Sequence, residues 1–187
     1  MRLLVLLLAA FLAFGAHAHS VLPLDLDTLV DRSDQIVYVR CLGNQAVPDA
    51  TLGVATLTTF VVFDRAKGLP GSTLTLRQAG GELNGLAVRY PVPSFRVGEE
   101  YVLFVPPVSR LGFASPVGLA QGVFHVVPGA AGKEVGNGRD LADLMPSADV
   151  ATLPPRTASR LKSAPQVRTR FDLADFMTIV RSRPGTR

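Results

Sequence analysis

The sequence predicts an all-β domain, a barrel or sandwich of five to six strands, with a short helix before it and an amphipathic helix after it. Runs rich in β-branched and aromatic residues recur between Gln35 and Val127, as extended structure favours. Glycine and proline turns separate them at intervals of roughly 8 to 15 residues, the rhythm of an antiparallel β domain. A clear 3.6-residue apolar period is found only near the C-terminus, in "FDLADFMTIVRSRPG", where Leu173, Phe176, Met177 and Val180 form one stripe.

The first eighteen residues read as an export signal. Arg2 precedes the apolar run Leu3 to Phe14, and Ala16-His17-Ala18 matches a signal peptidase site, with cleavage after Ala18 and a mature chain starting at His19;. The apolar run is about a dozen residues, short of the roughly 20 a membrane-spanning helix needs. A periplasmic or secreted product without a transmembrane segment is expected. In order, the chain divides into a signal peptide over 1–18, a β domain with its leading helix over 19–145, a Pro/Arg-rich linker over 146–170 and a helix over 171–183.

"PLDLDTLVDRSD" places acids early in an apolar stretch and predicts a two-turn helix near Asp25 to Arg32;. Gln35 to Leu42 follows as a central strand. Ile36, Tyr38 and Leu42 lie on one face, interrupted by Arg40, and Val37, Val39 and Cys41 lie on the other;. Gly53 to Asp64 is a long strand and Lys67 to Gly71 a turn;. "STLTLRQ" alternates, with Leu74 and Leu76 facing opposite Thr73, Thr75 and Arg77;. Gly80-Gly81 and Asn84-Gly85 bound a loop before Leu86 to Tyr90. Glu99 to Val105 is a strand closed by Pro106-Pro107, and "GFASPVGLAQGVFHVV" holds one or two more, broken around Gly118 to Gly122. Gly129 to Gly138 reads as a loop. Asp172 stands where it can cap the final helix, Arg181 and Arg183 suit its C-terminal end, and Pro184-Gly185 stops it;.

Charge is unevenly distributed. Residues 19–150 hold ten Lys and Arg against thirteen Asp and Glu, a net −3, whereas 151–187 hold eight against two, a net +6. Arg156, Arg160, Lys162, Arg168 and Arg170 fall among prolines with no acid from 151 to 170. That composition suits a solvated linker; the sharper alternative is attachment to an anionic envelope surface. A nucleic-acid partner is not expected, because the β domain is acidic and stacking aromatics are sparse.

Chemistry has few footholds. "QAGGELNG" and "PGAAGKEV" lack the spacing of nucleotide or phosphate loops;, so no cofactor is expected. No Gly-x-Ser-x-Gly elbow is found, and Glu99 and Glu100 face opposite ways on a strand;. The reading is non-enzymatic. Cys41 is the only cysteine, so no internal disulfide can form, and it reads as a small buried residue that happens to carry sulfur. The one metal alternative is copper chelated by the His19 amine and imidazole, with His125 as a third nitrogen;.

"LVDRSDQIVYVRC", "TLTTFVVFDRAKG", "LTLRQAGGELNG", "PSFRVGEEYVLFV" and "PVGLAQGVFHV" occur in that order. Together, over roughly Leu24 to Val127, they resemble a family of exported bacterial proteins of unknown function, some associated with secreted matrixin-type metalloproteases. More distantly, the Ser33-Asp34 strand and the long strand ending at Lys67-Gly68 are similar to the netrin-like module of the tissue inhibitors of metalloproteinases. The resemblance implies an oligonucleotide/oligosaccharide-binding (OB) type barrel and a protein partner, a secreted protease among the candidates. It also implies an alternative role as inhibitor or companion of such a protease. Those inhibitors set an N-terminal cysteine on the protease zinc, a place held here by His19.

N-terminal sequencing of the protein that cells accumulate should begin at His19; a bulk product retaining Met1 would contradict the export reading.

Overall fold

A computed structural model describes residues 22–69, 71–130, 132–145, 154–162 and 169–186, without the side chains of 141, 142 and 160–162. Helix α1 (Leu26–Asp31) begins on Asp25, whose carboxylate accepts the Thr28 N–H at 2.7 Å. That cap satisfies one of the free donors at a helix start. Leu26, Leu29 and Val30 are buried beneath it.

Strands β1 (Gln35–Asp49) and β2 (Gly53–Lys67) form one long antiparallel hairpin. The sequence predicts an end to β1 at Leu42, yet pairing continues from Gly43 to Asp49 opposite Thr59 to Gly53. A register shift between Cys41 and Gly43 bends the ladder there without breaking it;. The chain continues through β3 (Thr73–Ala79), β4 (Gly81–Leu83), β5 (Leu86–Val88), β6 (Glu100–Val105), a single 3-10 turn at Leu119–Gly122, β7 (Val123–Gly129) and β8 (Gly132–Gly136). Short helices α2 (Leu141–Leu144) and α3 (Pro155–Lys162), strand β9 (Phe171–Asp172) and helix α4 (Leu173–Arg181) complete it.

Two segments expected as loops are hairpins. β4 and β5 join through Asn84-Gly85, both with positive φ (52° and 79°), the requirement of a tight two-residue turn;. The Gly129 to Gly138 stretch contains β8, paired to β7 on one side and to β9 on the other. Its two glycines and two charges hide the strand in the sequence, where only Val135 supplies a buried apolar residue. Within the segment expected as linker, α3 is helical, with Thr157 buried and its hydroxyl donating to Asp175 of α4 at 3.1 Å.

Among the described residues the main sheet has seven strands in the order β3-β2-β1-β6-β7-β8-β9, and β4-β5 forms a separate pair. The protein is all-β with a C-terminal helix. The expected closure into a barrel is not found: among the described residues no ladder joins β3 to β9. Seven strands exceed the expected five to six because β8 and β9 extend the sheet.

Both faces of β1 and β6 are buried. Val37, Val39, Cys41, Phe60, Leu76, Tyr101, Leu103 and Val123 form an inner cluster, capped by Phe95 and Ala114 from connecting segments. Ile36, Tyr38, Val102, Phe104, Phe124 and Val135 face the other way and are covered by α1 and α4. The N-cap of α4 is Asp172, as its position in the sequence predicts, accepting from Ala174 and Asp175 at 3.0 and 3.1 Å. Phe176 drives between Phe124 and Phe171, with ring centroids 4.8 and 5.6 Å away. Arg181 fastens the far end of α4, 2.6 Å from Asp64 and 2.9 Å from the Arg65 carbonyl on β2.

One charged cluster crosses three strands. Glu100 on β6 accepts from Arg40 at 2.7 Å, from Lys133 at 2.6 Å and from the Tyr38 hydroxyl, while Lys133 also donates to Tyr38 at 2.7 Å. Burial raises the Glu100 pKa, but these donors outweigh it and bring the carboxyl from its ordinary 4.5 down to about 2;. A carboxyl whose pKa falls on folding contributes stability above its unfolded pKa, and loses that contribution as pH drops through the folded one. Calorimetric melting should therefore show the wild-type Tm falling between pH 4.5 and about 2 more steeply than that of Glu100→Gln, which should start lower at neutral pH; parallel profiles would contradict the assignment.

Candidate functional site

The inner face changes character along the β1–β2 hairpin. Near the β6 side it is apolar, ending at Phe60, Leu76 and Phe95. Beyond that point, registers place Asn44 opposite Thr58 and Thr56 opposite Gln78. Since side chains alternate along a strand, Thr56 and Thr58 share the face of Phe60, and Gln78 shares that of Leu76. The apolar inner layer thus gives way to four neutral hydrogen-bonding side chains.

These residues floor a cavity of about 520 Å³, inside the roughly 300–1,000 Å³ range of small-molecule sites. Its other wall is the segment from Ala87 to Phe95, including Val88, Tyr90 and Val92. Gly81 makes room at the turn into β4: with φ at 141°, a Cβ there would lie 2.6 Å from Thr56 Oγ1. Most of the floor is held in place by its own hydrogen bonds. Thr58 Oγ1 donates to Asn44 Oδ1 at 2.7 Å, Asn44 Nδ2 donates to the Phe95 carbonyl at 2.9 Å, and Thr56 Oγ1 donates to the Gly80 carbonyl at 2.7 Å. Gln78 is the exception. It is 3% exposed, and its Nε2 has no hydrogen-bond partner among the described residues. A buried amide donor left unpaired costs on the order of 1–3 kcal/mol, and it belongs to a residue that lines the cavity. Among the described residues charged groups occur only at the rim, as exposed Glu82 and Arg89.

A second cavity, about 720 Å³, lies against β6 and β7 and includes His125. Several of its polar groups are already engaged. Tyr101 OH donates to Glu99 at 2.8 Å and accepts the Arg96 N–H at 3.0 Å, and Asn137 Nδ2 donates to the Gln121 carbonyl at 2.9 Å. Burial, together with Glu99, pushes the Tyr101 phenol up to about 12.

The residues singled out in the sequence do not converge. His125 is exposed on β7, edge-on to Tyr101 with ring centroids 5.2 Å apart. Cys41 is 1% exposed on β1, and β6 lies between its strand and that of His125. Arg156 on α3 and Arg170 before β9 are exposed. His19, Ala18, Arg168 and the side chains of Arg160 and Lys162 lie outside the described residues. Among the described residues no group of three or more His, Cys, Asp or Glu is placed to hold a metal ion, and no helix is long and apolar enough to cross a membrane.

Sequence reasoning passes over Asn44, Thr56, Thr58 and Gln78 because neutral polar residues form no motif. The available signal is Gln78 itself, an amide continuing the Leu74 and Leu76 face.

The chain matches no protein-family model, and no curated protein and no solved structure matches it.

Burial pushes the Cys41 thiol pKa up, against a backbone hydrogen bond from Gly43, and the Glu99 charge adds to the rise. A thiol so protonated and enclosed reacts slowly. Labelling with a maleimide should therefore be slow in the folded protein and fast in denaturant; rapid labelling without denaturant, or a disulfide-linked dimer on a non-reducing gel, would overturn this.

Proposed function

We propose that this chain is an exported, non-enzymatic binding module of the periplasm or cell exterior, built on an OB-like sheet, that engages a protein or envelope partner. The observation that carries the reading is the cavity on the inner face, with its preorganised neutral floor and the unpaired Gln78 amide. Buried polar groups are normally satisfied, so an unsatisfied donor on a residue that lines a cavity favours a binding role for that cavity.

Several features support the rest. The five longest strands run β3-β2-β1-β6-β7. Numbered by themselves they give 3-2-1-4-5, the order of an OB barrel cut open between its third and fifth strands. The export signal, the basic residues of 151–170 and the resemblance to exported proteins associated with secreted proteases all favour a partner outside the cytoplasm. Fold alone would not name a function; the cavity is what turns this one toward binding.

The purified protein should be retained by envelope material from its own cells. Ala87→Trp, at an exposed position on the cavity wall, should abolish retention while leaving the circular dichroism spectrum unchanged. Undiminished retention of that variant would remove the cavity from the reading. Turnover of peptide, ester or glycan substrates, lost on His125→Ala, would replace it with an enzymatic one.

A further inference from the structure

We propose that the cavity between the inner face of β1–β3 and the Ala87–Phe95 segment takes an uncharged saccharide of a few units. This rests on the binding-module reading above and names the chemistry of its ligand.

The floor decides against charge. Asn44, Thr56, Thr58 and Gln78 are all neutral, and among the described residues the only ionic groups lining the cavity, Glu82 and Arg89, are of opposite sign and exposed at its rim. A phosphate or carboxylate would lose its hydration inside without meeting a counter-charge, which is costly. A purely apolar ligand fails for the opposite reason. It would cover this polar floor while offering the Gln78 amide no partner;.

A neutral ligand rich in hydrogen-bonding groups remains, and two kinds fit that description: a peptide backbone and a sugar. A peptide strand is held by open backbone N–H and C=O groups along a sheet edge. On the β2–β3 floor the backbone is spent. The Gly80 N–H donates to the Val54 carbonyl at 2.9 Å, the Gly80 carbonyl accepts from Thr56, the Phe95 carbonyl accepts from Asn44, and Thr56 and Gln78 lie within the β2–β3 ladder. On this floor the capacity left over belongs to side chains. The Gln78 Nε2 donor is unused, and the Asn44 amide and the two threonine oxygens each have room for a second bond. These are donors and acceptors set close together on adjacent strands, the pattern that vicinal hydroxyls meet, since each hydroxyl both donates and accepts. Tyr90, 42% exposed on the opposite wall, offers a ring face for the apolar C–H side of a pyranose.

The test is NMR titration of ¹⁵N-labelled protein, in the form that cells accumulate, with neutral trisaccharides of glucose, galactose, mannose and N-acetylglucosamine, and with trialanine and inorganic phosphate. At least one trisaccharide should shift the Gln78 and Asn44 side-chain amide signals saturably. Gln78→Leu should weaken that binding about tenfold, the worth of one good neutral hydrogen bond. Ala87→Trp should abolish it, and decides the matter even if the Gln78 variant does not fold. No shift with any trisaccharide, shifts with trialanine or phosphate instead, or unchanged sugar binding by Ala87→Trp would overturn the inference. Envelope retention that is lost in Ala87→Trp, without any sugar binding, would sink the saccharide while sparing the binding module. Sugar binding lost in Ala87→Trp, with envelope retention unchanged, would keep the saccharide and take the cavity out of the envelope-partner reading.

Discussion

Strand β1 carries apolar side chains on both faces, and the placement of nearly everything else follows from covering them. Val37, Val39 and Cys41 point one way and Ile36 and Tyr38 the other, all less than a tenth exposed. A strand of that kind cannot lie at an edge or face water on one side. It must have neighbours on both edges, supplied by β2 and β6, and a layer over each face. The inner layer is met by the curl of β2 and β3 and by Phe95 and Ala114. The outer layer needs α1 and α4. Each buried aliphatic or aromatic side chain is worth about 1.5–3 kcal/mol, so the two layers outweigh any single hydrogen bond or ion pair in the molecule.

The same strand explains why a cavity exists at all. Its ladder with β2 continues past Cys41 opposite Phe60, the last pair within the apolar inner cluster, as far as Asp49 opposite Gly53. The covering layer cannot follow, because the sequence there supplies Asn44, Thr56 and Thr58 in place of valine and phenylalanine. Backbone pairing is thus longer than the core it encloses. The remainder is bridged at a distance by the Ala87–Phe95 segment, and the space between is polar-walled.

Elements whose identity depends on local chemistry are legible in the sequence. Asp25 and Asp172 mark helix starts, and the alternation of Gln35 to Leu42 assigns both faces of β1 correctly up to Cys41. Leu42 does not follow its pattern; it is 51% exposed, because the shift in register just beyond Cys41 takes it off the core. What escapes depends on partners distant in the chain. β8 is a strand only because β7 and β9 flank it, and residues 43–49 of β1 are extended only because β2 returns alongside. The candidate site escapes for the same reason: Thr56 and Gln78 are far apart in the chain and meet only through the β2–β3 register. His125 and Cys41, which residue type alone brings forward, are separated by β6.

The docking of β9 and α4 has a bearing on when the molecule can be complete. Phe171, Phe176, Met177, Ile179 and Val180, which close the outer layer over Val102, Phe104 and Phe124, follow the rest of the main sheet in chain order. During synthesis, N-terminal parts emerge first. The long β1–β2 hairpin can therefore pair early, but the aromatic surface it helps to build stays open until α4 arrives. A chain made this way depends on whatever shields exposed apolar surface until β9 and α4 have both emerged.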